Sequence, residues 1–130
     1  MKAVWLSALA FALAGCVAEA PVESGEASEP ASIQVNTSIG FRSDESLREH
    51  YNKHHRQWGE ITRAEYLFMA QELRDTPASK DVLVAYRPDG VVSKYDRRDN
   101  EFLAYNRNLT IRTFFRPNDG ERYFHRQKNR

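Results

Sequence analysis

Val82-Leu83-Val84-Ala85-Tyr86-Arg87-Pro88-Asp89-Gly90-Val91-Val92-Ser93-Lys94-Tyr95 sets β-branched and aromatic residues on both sides of Pro-Asp-Gly, the composition of two strands around a tight turn. The pattern repeats downstream. Arg97-Arg98-Asp99-Asn100 reads as a second turn, Glu101 to Tyr105 as a third strand, and Asn106-Arg107-Asn108 as a third turn. Leu109 to Phe115 is a fourth strand, closed by Arg116-Pro117-Asn118-Asp119-Gly120. Arg122-Tyr123-Phe124 then adds a last strand or folds back. Linkers this short permit antiparallel pairing only, because a parallel pair needs a crossover of about a dozen residues.

Upstream the period becomes helical. Ser43 followed by Asp44 and Glu45 is a capping hydroxyl with acids in the first turn. Leu47, Tyr51, His54 and Trp58 share one face of that helix, and Gly59 stops it. Thr62-Arg63-Ala64-Glu65 has the capping-box pattern and starts a second helix that runs to about Arg74. Ala64, Leu67, Phe68 and Leu73 are its expected buried side, and Asp75-Thr76-Pro77 ends it. Residues 41–130 are thus predicted to form an α+β domain, two N-terminal helices packed on a four- to five-stranded antiparallel sheet.

The chain has 130 residues, enough for one domain of ordinary size, and shows no internal repeat. Its single cysteine excludes an intrachain disulfide framework and a multi-cysteine zinc site. The net charge of +1 conceals an asymmetry. Residues 41–130 hold 18 basic and 14 acidic residues and all four histidines, a basic balance that suits a polyanionic partner.

Residues 1–15 read as an export signal: Lys2 precedes an apolar stretch from Ala3 to Ala14. That stretch falls short of the about 20 apolar residues needed to span a bilayer. Leu13-Ala14-Gly15-Cys16 resembles a bacterial lipobox. The resemblance implies cleavage before Cys16 and lipid, palmitate among the acyl chains, on that cysteine. Val17, rather than Asp, follows it, so the expected location is the cell envelope, at the outer membrane facing periplasm or exterior. Residues 16–40 would be the lipidated cysteine and a disordered tether. Ala, Pro, Glu, Ser and Gly dominate it, and Glu19, Glu23, Glu26 and Glu29 stand without any Lys or Arg. About 24 such residues reach roughly 25–30 Å.

Two clusters carry candidate chemistry. In Lys53-His54-His55, His54 is either a satisfied core residue or a functional group at a cleft edge. His50 and His54 lie one turn apart, a spacing that can hold a metal. The absence of a glutamate between them and the adjacent Lys53 argue against one. In Ile111-Arg112-Thr113-Phe114-Phe115-Arg116, alternation puts Ile111, Thr113 and Phe115 on one face and Arg112 and Phe114 on the other. If the first face packs on the first helix, Thr113 needs a polar partner there, and His54 is a candidate. Lys53, Arg87, Arg112 and Arg116 are individually ordinary surface charges.

The string His50-Tyr51-Asn52-Lys53-His54-His55-Arg56-Gln57-Trp58-Gly59, with Asn100-Glu101-Phe102-Leu103-Ala104 and Ile111 to Pro117, resembles the ribonuclease superfamily that includes barnase, colicin D and RelE-type toxins. The closest pattern is that of colicin D-like and contact-dependent-inhibition toxin nucleases, over about residues 47–125. The resemblance implies a site between the helix pair and the sheet, metal-free and without a cofactor. It makes His54 the catalytic histidine, Lys53 a phosphate-binding lysine and Thr113 the strand hydroxyl. Phe115 would stack on a base, and Arg112, Arg116 and, more loosely, Arg87 would contact phosphate. The parity of Arg112 points away from Thr113 unless the strand bulges. The implied partners are RNA, with tRNA one candidate, and an immunity protein, and the implied state is a monomer. Neighbouring cations should lower the His54 pKa. An export signal is a departure from toxins that act in a target cell's cytoplasm, and RNA is scarce in the periplasm. The alternative is a non-catalytic envelope lipoprotein that binds a protein or an anionic polymer. A third reading, a metal hydrolase, is separated by its sensitivity to chelator.

Overall fold

A computed structural model describes Gly15 and residues 31–130. The expected lipid site at Cys16, the apolar stretch before it and the tether through residue 30 lie outside the described residues. Helix α1 (Asp44–His54) tightens into a 3₁₀ turn (His55–Trp58) and is followed by α2 (Arg63–Asp75). Four strands come next, β1 (Val82–Tyr86), β2 (Val91–Asp96), β3 (Glu101–Asn106) and β4 (Ile111–Phe115), and then α3 (Glu121–Gln127). The strands form one antiparallel sheet in the order β1-β2-β3-β4. Among the described residues no helix is long and apolar enough to cross a membrane.

The caps act as their chemistry requires. Ser43 accepts from the Ser46 N–H. Thr62 and Glu65 exchange side-chain and backbone bonds in a complete capping box. Gly59 takes the positive φ of +80° that ends the 3₁₀ turn.

Helices α1 and α2 cover one face of the sheet, with Leu47, Tyr66, Leu73, Leu103 and Phe114 at the centre of that core. The opposite face is covered as well. Val91, Tyr95, Phe102 and Ala104 pack there against Phe124 of α3. The Arg122-Tyr123-Phe124 segment is therefore helical, not a fifth strand: the chain reverses at Gly120 (φ +60°) and lays Phe124 over the sheet. With both faces covered, β2 is buried along its whole length.

The buried stripe of α2 differs from the expected one. Tyr66, Ala70 and Leu73 point into the core, whereas Ala64 is exposed and Phe68 is 46% exposed. Tyr66 is fully buried because its hydroxyl has a partner, donating to the Phe114 carbonyl at 2.5 Å. Gln71 and Arg74 are buried too.

These two polar residues reset the domain boundary. The compact unit runs from Ser32 to Arg130, so the last part of the expected tether belongs to the fold. Gln71 donates to the carbonyls of Thr37 and Ile39. The Arg74 guanidinium donates to those of Asn36, Ile39 and Leu109 and pairs with Asp75 at 2.8 Å. Phe41 then forms a parallel bridge with Ile111 beside β4. Buried Lys94 donates to the carbonyls of Arg74 and Thr76, at 2.5 and 2.6 Å, capping the C-terminal end of α2.

Strand β4 contains the irregularity that positions the site. Tyr105 pairs with Ile111, but the next residue of β3, Ala104, pairs with Thr113. Arg112 is the extra residue of a β-bulge. Past it the facing is inverted. Ile111 and Phe114 join the core under α1 and α2, while Phe115 packs with the core under α3. The expected row of Ile111, Thr113 and Phe115 against the first helix is thus broken.

Candidate functional site

The bulge turns Thr113 towards a cleft of about 470 Å³ on the α3 side of the sheet. Phe102 and Ala104 of β3 lie at its base. One wall is the start of α1, with Ser46, Glu49 and His50, preceded by Arg42. The other is α3, with Tyr123, Gln127 and, beyond the helix, Arg130. Arg87, Asn106 and Arg112 close the end where the strands turn. Four arginines and a histidine thus line one concavity, and among the described residues Glu49 is the one acidic side chain in its lining. Clefts of roughly 300–1,000 Å³ suit small ligands or single units of a polymer. The charge selects an anion.

Two of these arginines are held in place. Arg112 donates to the Asn106 side chain at 3.2 Å. Arg87 is tethered by Asp89 at 2.5 Å, and its Nε is buried with no hydrogen-bond partner among the described residues.

Of the residues that the resemblance points to, Thr113, Arg87 and Arg112 share this lining, and the others do not. Arg116 acts as a latch: its N–H and carbonyl bond the Gln57 side chain, and its guanidinium donates to the Gln57 carbonyl and lies 5.2 Å from the Trp58 ring. Phe115 is a packing residue against Phe102 and Tyr123. Lys53 is exposed and outside the cleft lining. His54 also lies outside the lining, and its ring stacks between His50 at 6.2 Å and Phe115 at 5.1 Å. No hydrogen bond joins His54 to Thr113 among the described residues, because the bulge aims Thr113 away from the helix core.

Burial, then Lys53 and His50, push the His54 pKa down to about 4. The direction is the expected one, but desolvation outweighs the cations. His50 is lowered by burial and by Lys53, and Glu49 opposes that shift. The His50 and His54 rings lie 6.2 Å apart with planes 20° apart, and among the described residues neither belongs to a cluster of three or more potential metal ligands. The acidic trio Asp96, Asp99 and Glu101 has ligand oxygens within 4.8 Å of one another, although Arg98 already pairs with Asp96 at 3.2 Å.

Arg42, Arg130 and Tyr123 had no local signal as site residues, since the two ends of the domain bring them in. His50 had one in its helical spacing to His54, which was read only as a metal pair. The chain matches no family model and no curated protein.

Proposed function

We propose that the chain is a toxin-like, metal-independent endoribonuclease, exported as a lipoprotein anchored through Cys16 at the cell envelope, outer membrane included. The observation that carries this reading is the convergence of Arg42, Arg87, Arg112, Arg130 and His50 around Thr113 in one cleft. In the reaction, the ribose 2′-oxygen bonds to the adjacent phosphorus and its proton passes to a histidine of α1. The bond from phosphorus to the 5′-oxygen breaks, and that oxygen takes a proton from water to leave as a hydroxyl, the hydroxide formed being neutralised by the proton the histidine took up. The products are a 2′,3′-cyclic phosphate and a free 5′-hydroxyl. Arg87 and Arg112 would offset charge on the phosphoryl oxygens, and Thr113 would donate one hydrogen bond. Such groups are each worth about 10²–10⁴-fold in rate. RNA is the partner, tRNA a candidate substrate, and an immunity protein the safeguard for a producer cell.

A second reading is a non-catalytic envelope lipoprotein that uses the cleft to hold an anionic polymer. It is favoured by His54, which lies outside the cleft lining with a pKa near 4. The test is to purify the full chain in mild detergent and incubate it with total tRNA in EDTA. Fragments ending in 2′,3′-cyclic phosphate support the ribonuclease. RNA retained but uncut supports the binding module.

A further inference from the structure

Helix α1 carries two histidines one turn apart, and only one of them faces the cleft. Four rings form a column along this side of the molecule. Phe41 lies 5.1 Å from His50, His50 lies 6.2 Å from His54, and His54 lies 5.1 Å from Phe115. The planes of successive rings are within 30° of parallel. His50 has a ring neighbour in each of Phe41 and His54, and it lines the cleft that Thr113, Arg87 and Arg112 share. His54 has ring neighbours in His50 and Phe115 but lines no part of that cleft.

We infer that His50, and not His54, exchanges the proton with the ribose 2′-oxygen, and that His54 is the positioning residue whose ring holds His50 in place. The inference rests on the ribonuclease reading above. The charged groups around His50 are Glu49 and Lys53 on α1, Arg42 before it, Arg112 on β4, Arg87 after β1 and Arg130 after α3. Without substrate, burial and then Lys53 favour the neutral ring, the form that accepts a proton, and Glu49 opposes them. A phosphodiester bound among the cleft arginines supplies the negative charge that stabilises the imidazolium once formed. His54 stays neutral throughout, because burial holds its pKa near 4. A neutral neighbour does not repel the charge that His50 acquires, whereas a second imidazolium would.

The test uses the full chain and four proteins: wild type, His50→Gln, His54→Ala and His54→Phe. RNA cleavage in EDTA is followed from acid to alkaline pH, with thermal melts as the fold control. His50→Gln should lower kcat/KM by about 10²-fold or more and flatten the pH profile. His54→Ala should weaken cleavage, and His54→Phe, which restores a ring without a proton, should recover both rate and profile. A His54→Phe protein as inactive as His50→Gln overturns the assignment, and so does a His50→Gln protein that cuts like wild type. If His50→Gln does not fold, the imidazole NMR signals of wild type decide. An uncleavable 2′-deoxy oligonucleotide must raise the titration midpoint of His50, and an unmoved midpoint overturns the assignment. A wild-type chain that cuts no RNA removes the ribonuclease reading, and this assignment falls with it.

Discussion

Acidification from pH 7 towards pH 4 should destabilise this protein, and His54 should be a main cause. The His54 pKa is 6.5 in an unconstrained chain and about 4 in the folded protein. Between those values the unfolded chain holds a proton that the folded chain does not. Unfolding therefore takes up a proton, and stability falls as pH falls. The contribution is complete above pH 6.5 and lost by about pH 4. At about 1.4 kcal/mol per unit the full shift would be worth roughly 3 kcal/mol, and solvent screening of a half-buried ring cuts that to about 1–2 kcal/mol. In a domain of this size, that corresponds to a drop in Tm of about 5–10 °C. His50 shifts in the same direction, and Glu101, which burial raises, opposes it at the acid end. Comparing wild type with His54→Phe isolates the His54 share. Urea unfolding of both proteins at pH 7 and pH 4.5 should show the smaller acid loss in His54→Phe. Equal losses would refute the argument that burial in the ring column keeps His54 neutral.

Other changes test other parts of the molecule. Arg112→Gln should reduce RNA binding and the dependence of binding on salt, since one cation leaves the cleft; filter binding at two salt concentrations measures both. Ser93 is fully buried, between Ala85 and Ala104 on the neighbouring strands, with no partner for its hydroxyl among the described residues. Ser93→Ala should therefore be neutral or raise stability by up to about 1 kcal/mol in a urea titration. Arg74→Met should cost about 3–5 kcal/mol, because it takes the cation from Asp75 and the side-chain donor from the Asn36 and Leu109 carbonyls, and hydrogen exchange should show residues 32–40 released first.

Much of the fold was legible because its signals are local. Pro88-Asp89-Gly90 between two β-branched runs and the Thr62–Glu65 box each specify a conformation with a few residues. The features that were not legible depend on distant partners. Tyr66 reads as a surface tyrosine until the Phe114 carbonyl is there to receive its hydroxyl. Gln71 and Arg74 read as solvated until a backbone segment lies over them. The bulge at Arg112 leaves no mark in a strand read with a period of two, yet it decides where Thr113 points. For the same reason the cleft was legible in part. Thr113, Arg87 and Arg112 share one lining with His50, whose helical spacing points only to a metal pair, whereas His54 lies one turn further along α1 and outside that lining.

The segment from Asn36 to Ile39 is held by its main chain. Arg74 and Gln71 bind its carbonyls, and Asp75 accepts the Asn36 N–H at 2.7 Å. Recognition of this kind is blind to most side chains, so the instructions for docking the segment are written on α2. Related chains could drift widely across these positions and still fold alike. The exception is Gly40, where an added methyl would lie 2.9 Å from the Leu67 side chain. Drift of that sort erases kinship in the segment while leaving its architecture intact, and its inheritance would be traced through one arginine, one glutamine and one glycine.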